Sequence, residues 1–566
     1  MNTKTLPIGV DSFEKLIDGD YYYIDKTGLI AELVESRYEV TLFTRPRRFG
    51  KSLNMSMLKS FFNIDQNKEK QKALFKDLKI SQYQDICNAY MGQYPVVSIT
   101  LKDVTGNNIS EAKTQIKAVI GKEALRYKFV LDDRAVTDED KALYRALIEI
   151  SDGEFVMDDS VLRNSLMNLT HIIEKYYDQK VILLIDEYDV PLDKAHNGGY
   201  YDEMASLVRD ILSAALKSND SIKFSVLTGC LRIAKESIFT GLNNLRVQSI
   251  SDVGFSEWFG FSESEVSEIL DYYGIRDKND IIREWYDGYK FGNMSVYCPW
   301  DVINYIQTLR TDKNALPELY WANTSSNDLL LNLISGADDQ TKHDIESLLS
   351  GDSISKYIHT ELTYREINES IDNIWSVLYM TGYLTQVVRM ENGQYELKIP
   401  NREIYLLLKN NIYDFVKREN KEKSDDAYHL FDALIEGNDK EAERIFSDYL
   451  INHISIRDIN VKKEMKENFY HGYLLGLLSA VTRAVVSNRE SGDGFADILI
   501  KAPEKRVGVI IELKYAENEK LDQFCDEALR QIENRDYEQA LYDAGMDTII
   551  SYGIACYKKR CRIKKK

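Results

Sequence analysis

The sequence predicts a multidomain α/β protein: a parallel sheet with helices at the N-terminal end, a mostly helical middle, and a smaller α/β region at the C-terminal end. Three observations predict it. At 566 residues the chain is too long for one hydrophobic core. Up to about residue 250, short β-rich apolar runs alternate with helical patterns, the signature of a parallel sheet. After about Ser262 the pattern turns helical, and strands return over the last ~100 residues.

In order along the chain, the apolar runs at 40–44, 96–101, 181–185 and 223–227 read as the strands of the first sheet. SESEVSEILDYYG, PWDVINYIQTL and SVLYMTGYL then read as helices. A strand pair at 385–390 and 395–399, folded around ENGQ, interrupts them. The charged stretch 417–429 reads as a linker or an exposed helix end. These breaks divide the chain into 1–255, 256–410, a helical linker 411–460, and 461–566.

A composition of 44% hydrophobic and 29% charged residues is that of a globular protein rather than a disordered or fibrous one. The longest apolar stretches, 181–185 and 473–481, fall short of the ~20 residues that cross a bilayer, so no membrane association is expected. The opening MNTKTLPIGVDSFEKL has no apolar core behind a basic start, and so does not read as a secretory signal. Six cysteines without CxxC spacing point to free thiols in a reducing cytoplasm. The net charge of −19 argues against a protein coated in nucleic acid but leaves room for a local basic groove. KKRCRIKKK at 558–566 is one such basic feature, or simply a solvated tail.

The strand at 40–44 runs into Arg45, Pro46, Arg47, Arg48, Phe49, Gly50, Lys51 and Ser52. A helix with apolar positions at Leu53, Met57, Leu58, Phe61 and Phe62 follows. Strand, loop, Gly-Lys-Ser and amphipathic helix is the setting of a phosphate-binding P-loop. Backbone N–H groups at a helix N-terminus attract phosphate, the lysine adds a point charge, and the serine hydroxyl ligates Mg2+ beside the terminal phosphates. Arg45 replaces the first glycine of the usual GxxxxGK[ST] pattern, which predicts a different entry turn. Lys51 is expected to be exposed in the empty site.

The apolar strand at 181–185 ends in Asp186 and Glu187. A carboxylate at the tip of a buried parallel strand is what a Walker B motif provides: Asp186 would hold Mg2+ through water, and Glu187 would polarise the attacking water. Thr228, at the end of a further strand, would sense the terminal phosphate, and Arg232 follows closely; a structural loop role fits either equally. The two motifs in this order and spacing predict ATP binding with Mg2+.

Near the end, GFADILIKAPEKRVGVIIELKY holds a third constellation. Asp497 opens one strand (498–500), and 508–513 forms a second. Glu512 and Lys514, two apart, point to one face, and a hairpin would bring Asp497 beside them. Two carboxylates holding Mg2+ and a lysine that orients water suit phosphodiester hydrolysis. An edge hairpin with solvent-facing charges is the alternative, weakened by the apolar run at 507–511. Glu464 and Glu467 upstream are candidates for a further acid.

With these motifs in order, the chain resembles a family of prokaryotic proteins that join an AAA-ATPase-like domain to a C-terminal PD-(D/E)XK nuclease domain. The resemblance runs through LPIGVDSFEKLIDGDYYYIDKTGLI, RPRRFGKS, ILLIDEYD and LTGCLRIAKESIFTGLNNL. It continues through WYDGYKFGNMSVYCPWDVINY, MTGYLTQV, IPNRE, YHGYLLGLL, DGFADILI, IELKY and ALRQIENRDY. Many members also lack the first P-loop glycine. The resemblance implies a helical lid with a winged-helix-like part at about 260–410, and a restriction-endonuclease-like fold at the end. It implies that Asp497, Glu512 and Lys514 form the nuclease core motif. Glu467 would match an acid of the preceding helix, and Gln531 and Tyr537 polar residues of the following one. Ala496 stands where a proline is usual. P-loop ATPases of this class often form homo-oligomers, although no seam for it is readable here. The leading expectation is an ATP-binding and ATP-hydrolysing protein whose C-terminal domain cuts nucleic acid, DNA first. The alternative is a nucleotide-dependent switch whose C-terminal domain binds nucleic acid or a partner without cutting.

Overall fold

A computed structural model describes residues 3–64, 67–231, 239, 243–321, 339–362, 364–367, 370–419, 424–453, 463–479, 485–491, 494–503, 505–516, 520–534, 538–542 and 545–566. The chain forms two compact units, Met1–Ser325 with Ser355–Glu403, and Ser326–Ile354 with Ile404–Lys566.

In the first unit, β1 (Val40–Thr44) and β2 (Val96–Thr100) precede a short exposed ribbon, β3 (Ile150–Ser151) and β4 (Glu154–Phe155). β5 (Val181–Asp186), β6 (Ile222–Gly229) and β7 (Leu245–Gln248) complete a five-stranded sheet in the order β2-β5-β6-β1-β7. Every pairing in it is parallel. Helices cover both faces of such a sheet, which is why β1 and β5 are buried at every position and read as unbroken apolar runs. The flanking helices start on local signals. Asp158 caps Asp159–Tyr177 by accepting from Val161 N at 2.7 Å, and Asn108 caps Ile109–Leu125. β6 lies between β1 and β5, with Thr44 opposite Gly229 and Ile185 opposite Leu227. This register sets Thr228 between the end of the phosphate-loop strand and Asp186.

The helices expected beyond Ser262 are present. Glu263–Tyr273 opens on a capping box of Ser262 and Glu265, and Pro299–Thr311 opens on a proline at its first turn. Between them lies the hairpin of β8 (Tyr289–Phe291) and β9 (Met294–Val296). The expected strand pair is β11 (Thr385–Arg389) with β12 (Gln394–Lys398), and β10 (Ile354–Tyr357) adds a third strand in the order β10-β12-β11.

The second unit has a sheet in the order β13-β14-β15-β16-β17. Its strands are β13 (Val485–Ser491), β14 (Gly494–Ala502), β15 (Val507–Tyr515), β16 (Thr548–Tyr557) and β17 (Arg560–Lys565). Only β15 and β16 pair in parallel; the other neighbours are antiparallel. One face packs Ile498, Ile500, Ile511, Leu513 and Ile554 on apolar residues of Ser424–Ile435, Asp439–His453 and Lys463–Ser479. The other packs Leu499 and Ile510 against Ile532 of Leu521–Asn534. That helix crosses β16 at Gly553, where a Cβ would sit 2.3 Å from the Cys525 carbonyl oxygen. A side chain at 553 would therefore lift the helix off the face that carries Glu512, which is in register with Gly553.

Candidate phosphate-loop and carboxylate sites

The loop from Arg45 to Gly50 joins β1 to the helix Lys51–Phe62. Gly50 caps that helix at φ +83°, a left-handed conformation that favours glycine. Lys51 is only 4% exposed, against the expectation of an exposed lysine. The loop curls over it, and its Nζ donates to the carbonyls of Arg45 and Pro46, both at 3.0 Å, with Cys230 Sγ at 3.6 Å. Burial alone would depress this ammonium, but Cys230, Glu187, Asp189 and Asp186 outweigh it and hold the lysine above its ordinary range.

Ser52 Oγ donates to Asp186 Oδ2 at 2.7 Å, and Thr228 Oγ1 donates to Asp186 Oδ1. The Glu187 N–H donates to Thr228 Oγ1 at 3.2 Å, with Glu187 at φ +53°. Hydroxyl, carboxylate and strand-tip threonine thus form one connected network at the ends of β5 and β6. Asp189, which the sequence reading gave no role, is buried and accepts from the Cys230 and Leu231 N–H groups at 2.8 and 3.0 Å. Burial pushes its carboxyl up to about 6.

Arg45 does not join this network. Its guanidinium is fully buried, donates to the Gln248 and Thr44 carbonyls at 2.7 and 3.0 Å, and lies 4.9 and 5.3 Å from the Phe259 and Phe291 ring centres. The residue in the place of the first glycine is thus an anchor for the loop, and its side chain does not line the cavity beside it. That cavity, of about 560 Å3, is lined by Arg47, Gly50, Lys51, Ser52 and Glu187 on its polar side, with Trp258 on the apolar side. Arg47 pairs with Asp193 at 3.7 Å, the Arg48 guanidinium stacks 4.1 Å from Trp300, and Phe49 is buried against Tyr289 and Phe291. Pro46 contributes its carbonyl to Lys51. Arg232 lies outside the described residues.

In the second unit, β14 and β15 bring Asp497 and Glu512 together. Ile498 pairs with Ile511, so the next position outward sets Asp497 opposite Glu512. Asp497 Oδ2 accepts the Leu513 N–H at 2.8 Å. Glu512 is 1% exposed; Lys514 Nζ is 3.6 Å from its Oε1, and its Oε2 has no hydrogen-bond partner among the described residues. Burial first, and the Asp497 charge second, push this carboxyl up to about 7, with Lys514 opposing them.

Two further groups face Asp497. The buried His471, on Lys463–Ser479, sits with Nε2 2.8 Å from the Asp497 carbonyl oxygen, and burial lowers its pKa. Lys409, on Arg402–Glu419, is half-buried and held below its ordinary range by burial, which Asp497 opposes. YHGYLLGLL showed the histidine in an apolar helical stretch, whereas Lys409 lay 88 positions before Asp497 with no pattern to link them. The helix Lys463–Ser479 carries Glu464 and Glu467, but their side chains lie outside the described residues, as does Tyr537. Gln531 lies on Leu521–Asn534, half-buried. Among the described residues no cluster of three His, Cys, Asp or Glu forms a ready metal site.

The C-terminal basic run is a strand. Arg562 pairs with Glu443 at 3.1 Å, Lys564 with Asp526 at 2.9 Å and Lys566 with Glu533 at 3.4 Å. None of the six cysteines is in a disulfide, and among the described residues no helix is long and apolar enough to cross a membrane.

Comparison with known proteins divides the chain along these two sites. Residues 7–239 match the AAA-ATPase-like family, described as a predicted AAA-ATPase, and residues 465–566 match the PD-(D/E)XK nuclease superfamily. The "uncharacterized protein in vnfD 5'region" of Azotobacter chroococcum mcd 1 is 27% identical over 411 residues, covering 71% of this chain and 69% of that one.

Proposed function

We propose, for a chain that carries an AAA-ATPase-like domain over 7–239 and a PD-(D/E)XK nuclease superfamily domain over 465–566, that it binds and hydrolyses ATP and cuts the phosphodiester backbone of nucleic acid, DNA first. The observation that carries the nuclease half is Glu512: a buried carboxylate with one oxygen unpartnered, opposite Asp497 and beside Lys514. A buried carboxylate oxygen without a hydrogen bond is costly, and a divalent cation would relieve it with its charge. The donor set therefore fits Mg2+, with Asp497 and Glu512 as its protein ligands. A bound cation supplies Lewis acidity and lowers the pKa of water. Lys514, on the same face, orients that water and balances charge at the scissile phosphate.

In the first unit, Ser52 and Asp186 share a hydrogen bond, and this hydroxyl and carboxylate would hold the Mg2+, Asp186 through water. The loop N–H groups through Gly50 and the Lys51 ammonium would take the phosphates. Glu187, lining the cavity, would accept the proton of the attacking water, and Thr228 would fix the Asp186 carboxylate. The free cysteines fit a cytoplasmic protein.

The test is cleavage of plasmid DNA by the full chain with Mg2+ or Mn2+, with and without ATP, beside Glu512→Ala and Lys51→Ala. Cutting that disappears in the Glu512 variant supports the nuclease, and its dependence on ATP and Lys51 reads out coupling. Cutting that persists in Glu512→Ala overturns the site. No cutting of DNA or of RNA favours a nucleotide switch that binds without cutting.

A further inference from the structure

The basic run at the end of the chain splits into two parts with different fates. From Arg562 on, three cations are matched with acids, Arg562 with Glu443, Lys564 with Asp522 and Asp526, and Lys566 with Glu533, while Lys565 rests on the Gly437 carbonyl at 2.9 Å. Those at the β16–β17 turn are not. Lys558 and Arg560 are exposed and Lys559 half-exposed, and no carboxylate among the described residues pairs with any of the three. Lys559 Nζ rests on the Ile451 carbonyl at 3.0 Å, which leaves its charge uncompensated. In a chain of net charge −19, three such cations on one turn stand out as a local positive point.

The turn is also fixed in place and well placed. Tyr470 Oη donates to the Lys558 carbonyl at 2.5 Å, and the Tyr470 ring stacks on Tyr515 at 5.9 Å. β15 and β16 run parallel with Lys514 in register with Ala555, so the turn projects from the sheet end that also carries Glu512 and Lys514. Lys558 lies three residues beyond Ala555, roughly 10 Å at ~3.3 Å per residue. One nucleic-acid strand advances ~3.4 Å per nucleotide, so that distance corresponds to about three phosphates.

We propose that Lys558, Lys559 and Arg560 form a docking point for the phosphodiester backbone about three nucleotides from the bond cut at Glu512 and Lys514. The inference rests on the nuclease reading and adds where the substrate is held. Contacts of this kind neutralise phosphates and release counterions, so they appear in the salt dependence of binding rather than in sequence preference.

The experiment measures binding of the full chain to a duplex DNA oligonucleotide and, separately, to single-stranded RNA. A salt series without divalent cation prevents cutting. The variants are Lys558→Ala/Lys559→Ala/Arg560→Ala and, as a control, Arg562→Ala/Lys564→Ala, with thermal melts of each. The first should weaken binding on the order of tenfold or more and flatten the plot of log affinity against log salt by about 2 to 3 units. The control should lower the melting temperature and leave the slope where it was. A slope unchanged in the first variant overturns the docking point and leaves the nuclease reading standing. A wild-type chain that binds neither probe overturns both. The probe that loses affinity in the turn variant identifies the strand chemistry.

Discussion

The two sites differ in how far their own polar groups satisfy one another. At the phosphate loop, Lys51 is held by two backbone carbonyls, and Ser52, Asp186, Thr228 and the Glu187 N–H are joined in one chain of hydrogen bonds. At the carboxylate site, Glu512 is buried with an unpartnered oxygen and its pKa pushed up to about 7. The first site satisfies its own polar groups, so a nucleotide would bind there by exchanging contacts, with part of its binding energy spent on breaking them. At the second, Glu512 Oε2 is left without a hydrogen bond among the described residues, so a cation there would add a contact to that oxygen. Nucleotide affinity should therefore depend on loop rearrangement, and metal affinity on charge and pH.

The largest effect that tests this contrast is Glu512→Gln. The amide keeps the shape but removes the charge with which the proposed ligand would hold a cation. Loss of several kcal/mol of charge stabilisation lowers the rate of DNA cutting on the order of 10^3-fold. Initial rates of plasmid nicking check it, and near-normal rates would remove the basis for calling this site the less satisfied one. Lys51→Ala comes next. Loss of the ammonium proposed to meet the phosphates should weaken ATP binding on the order of 10^2-fold in a calorimetric titration. Because Lys51 is buried on the Arg45 and Pro46 carbonyls, the variant should also melt a few degrees lower, at about 1–3 kcal/mol. Unchanged melting would mean that the closed arrangement contributes nothing.

Arg45→Ala separates the loop's anchor from its ligand groups. The side chain packs between Phe259 and Phe291 and bonds to Gln248, so its loss should cost about 2–4 kcal/mol of stability. ATP affinity of the folded variant should stay within about threefold of the parent, since the guanidinium does not line the cavity. A loss as large as that of Lys51→Ala would put Arg45 back among the phosphate ligands.

What could be read in advance follows the distance between partners. The strand, loop and helix around Gly50 are local, and the fully buried β1 and β5 announce themselves as apolar runs. Glu512 and Lys514 share a strand face by their spacing, and a short hairpin brings Asp497 opposite. Arg45 was opaque because the residues that give it a structural task, Gln248, Phe259 and Phe291, lie more than 200 positions away. The burial of Lys51 escapes the sequence for a different reason: the loop folds its own carbonyls onto the ammonium, which no residue type announces. β10 is a short strand, ISKY, with only one buried position, too little for alternation to show. Lys409 comes from a helix outside both matched segments, so neither motif nor spacing led to it.

The smallest effect, and the most specific to the carboxylate site, is in pH. Glu512 in the folded chain has its pKa raised to about 7, against an ordinary carboxyl value near ~4.3 in an unfolded chain. Between these values the folded state holds a proton that the unfolded state has lost. Stability from this group is therefore fully present below the lower value and is lost as pH rises through the upper one. In metal-free buffer, Glu512→Gln lacks this loss, so its melting temperature should match the parent near pH ~4 and exceed it by a few degrees near pH ~8. A difference that is flat with pH would mean that Glu512 is not held as an uncompensated buried carboxylate. The unpartnered oxygen would then have a partner in solution, and the contrast with the self-satisfied phosphate loop would close.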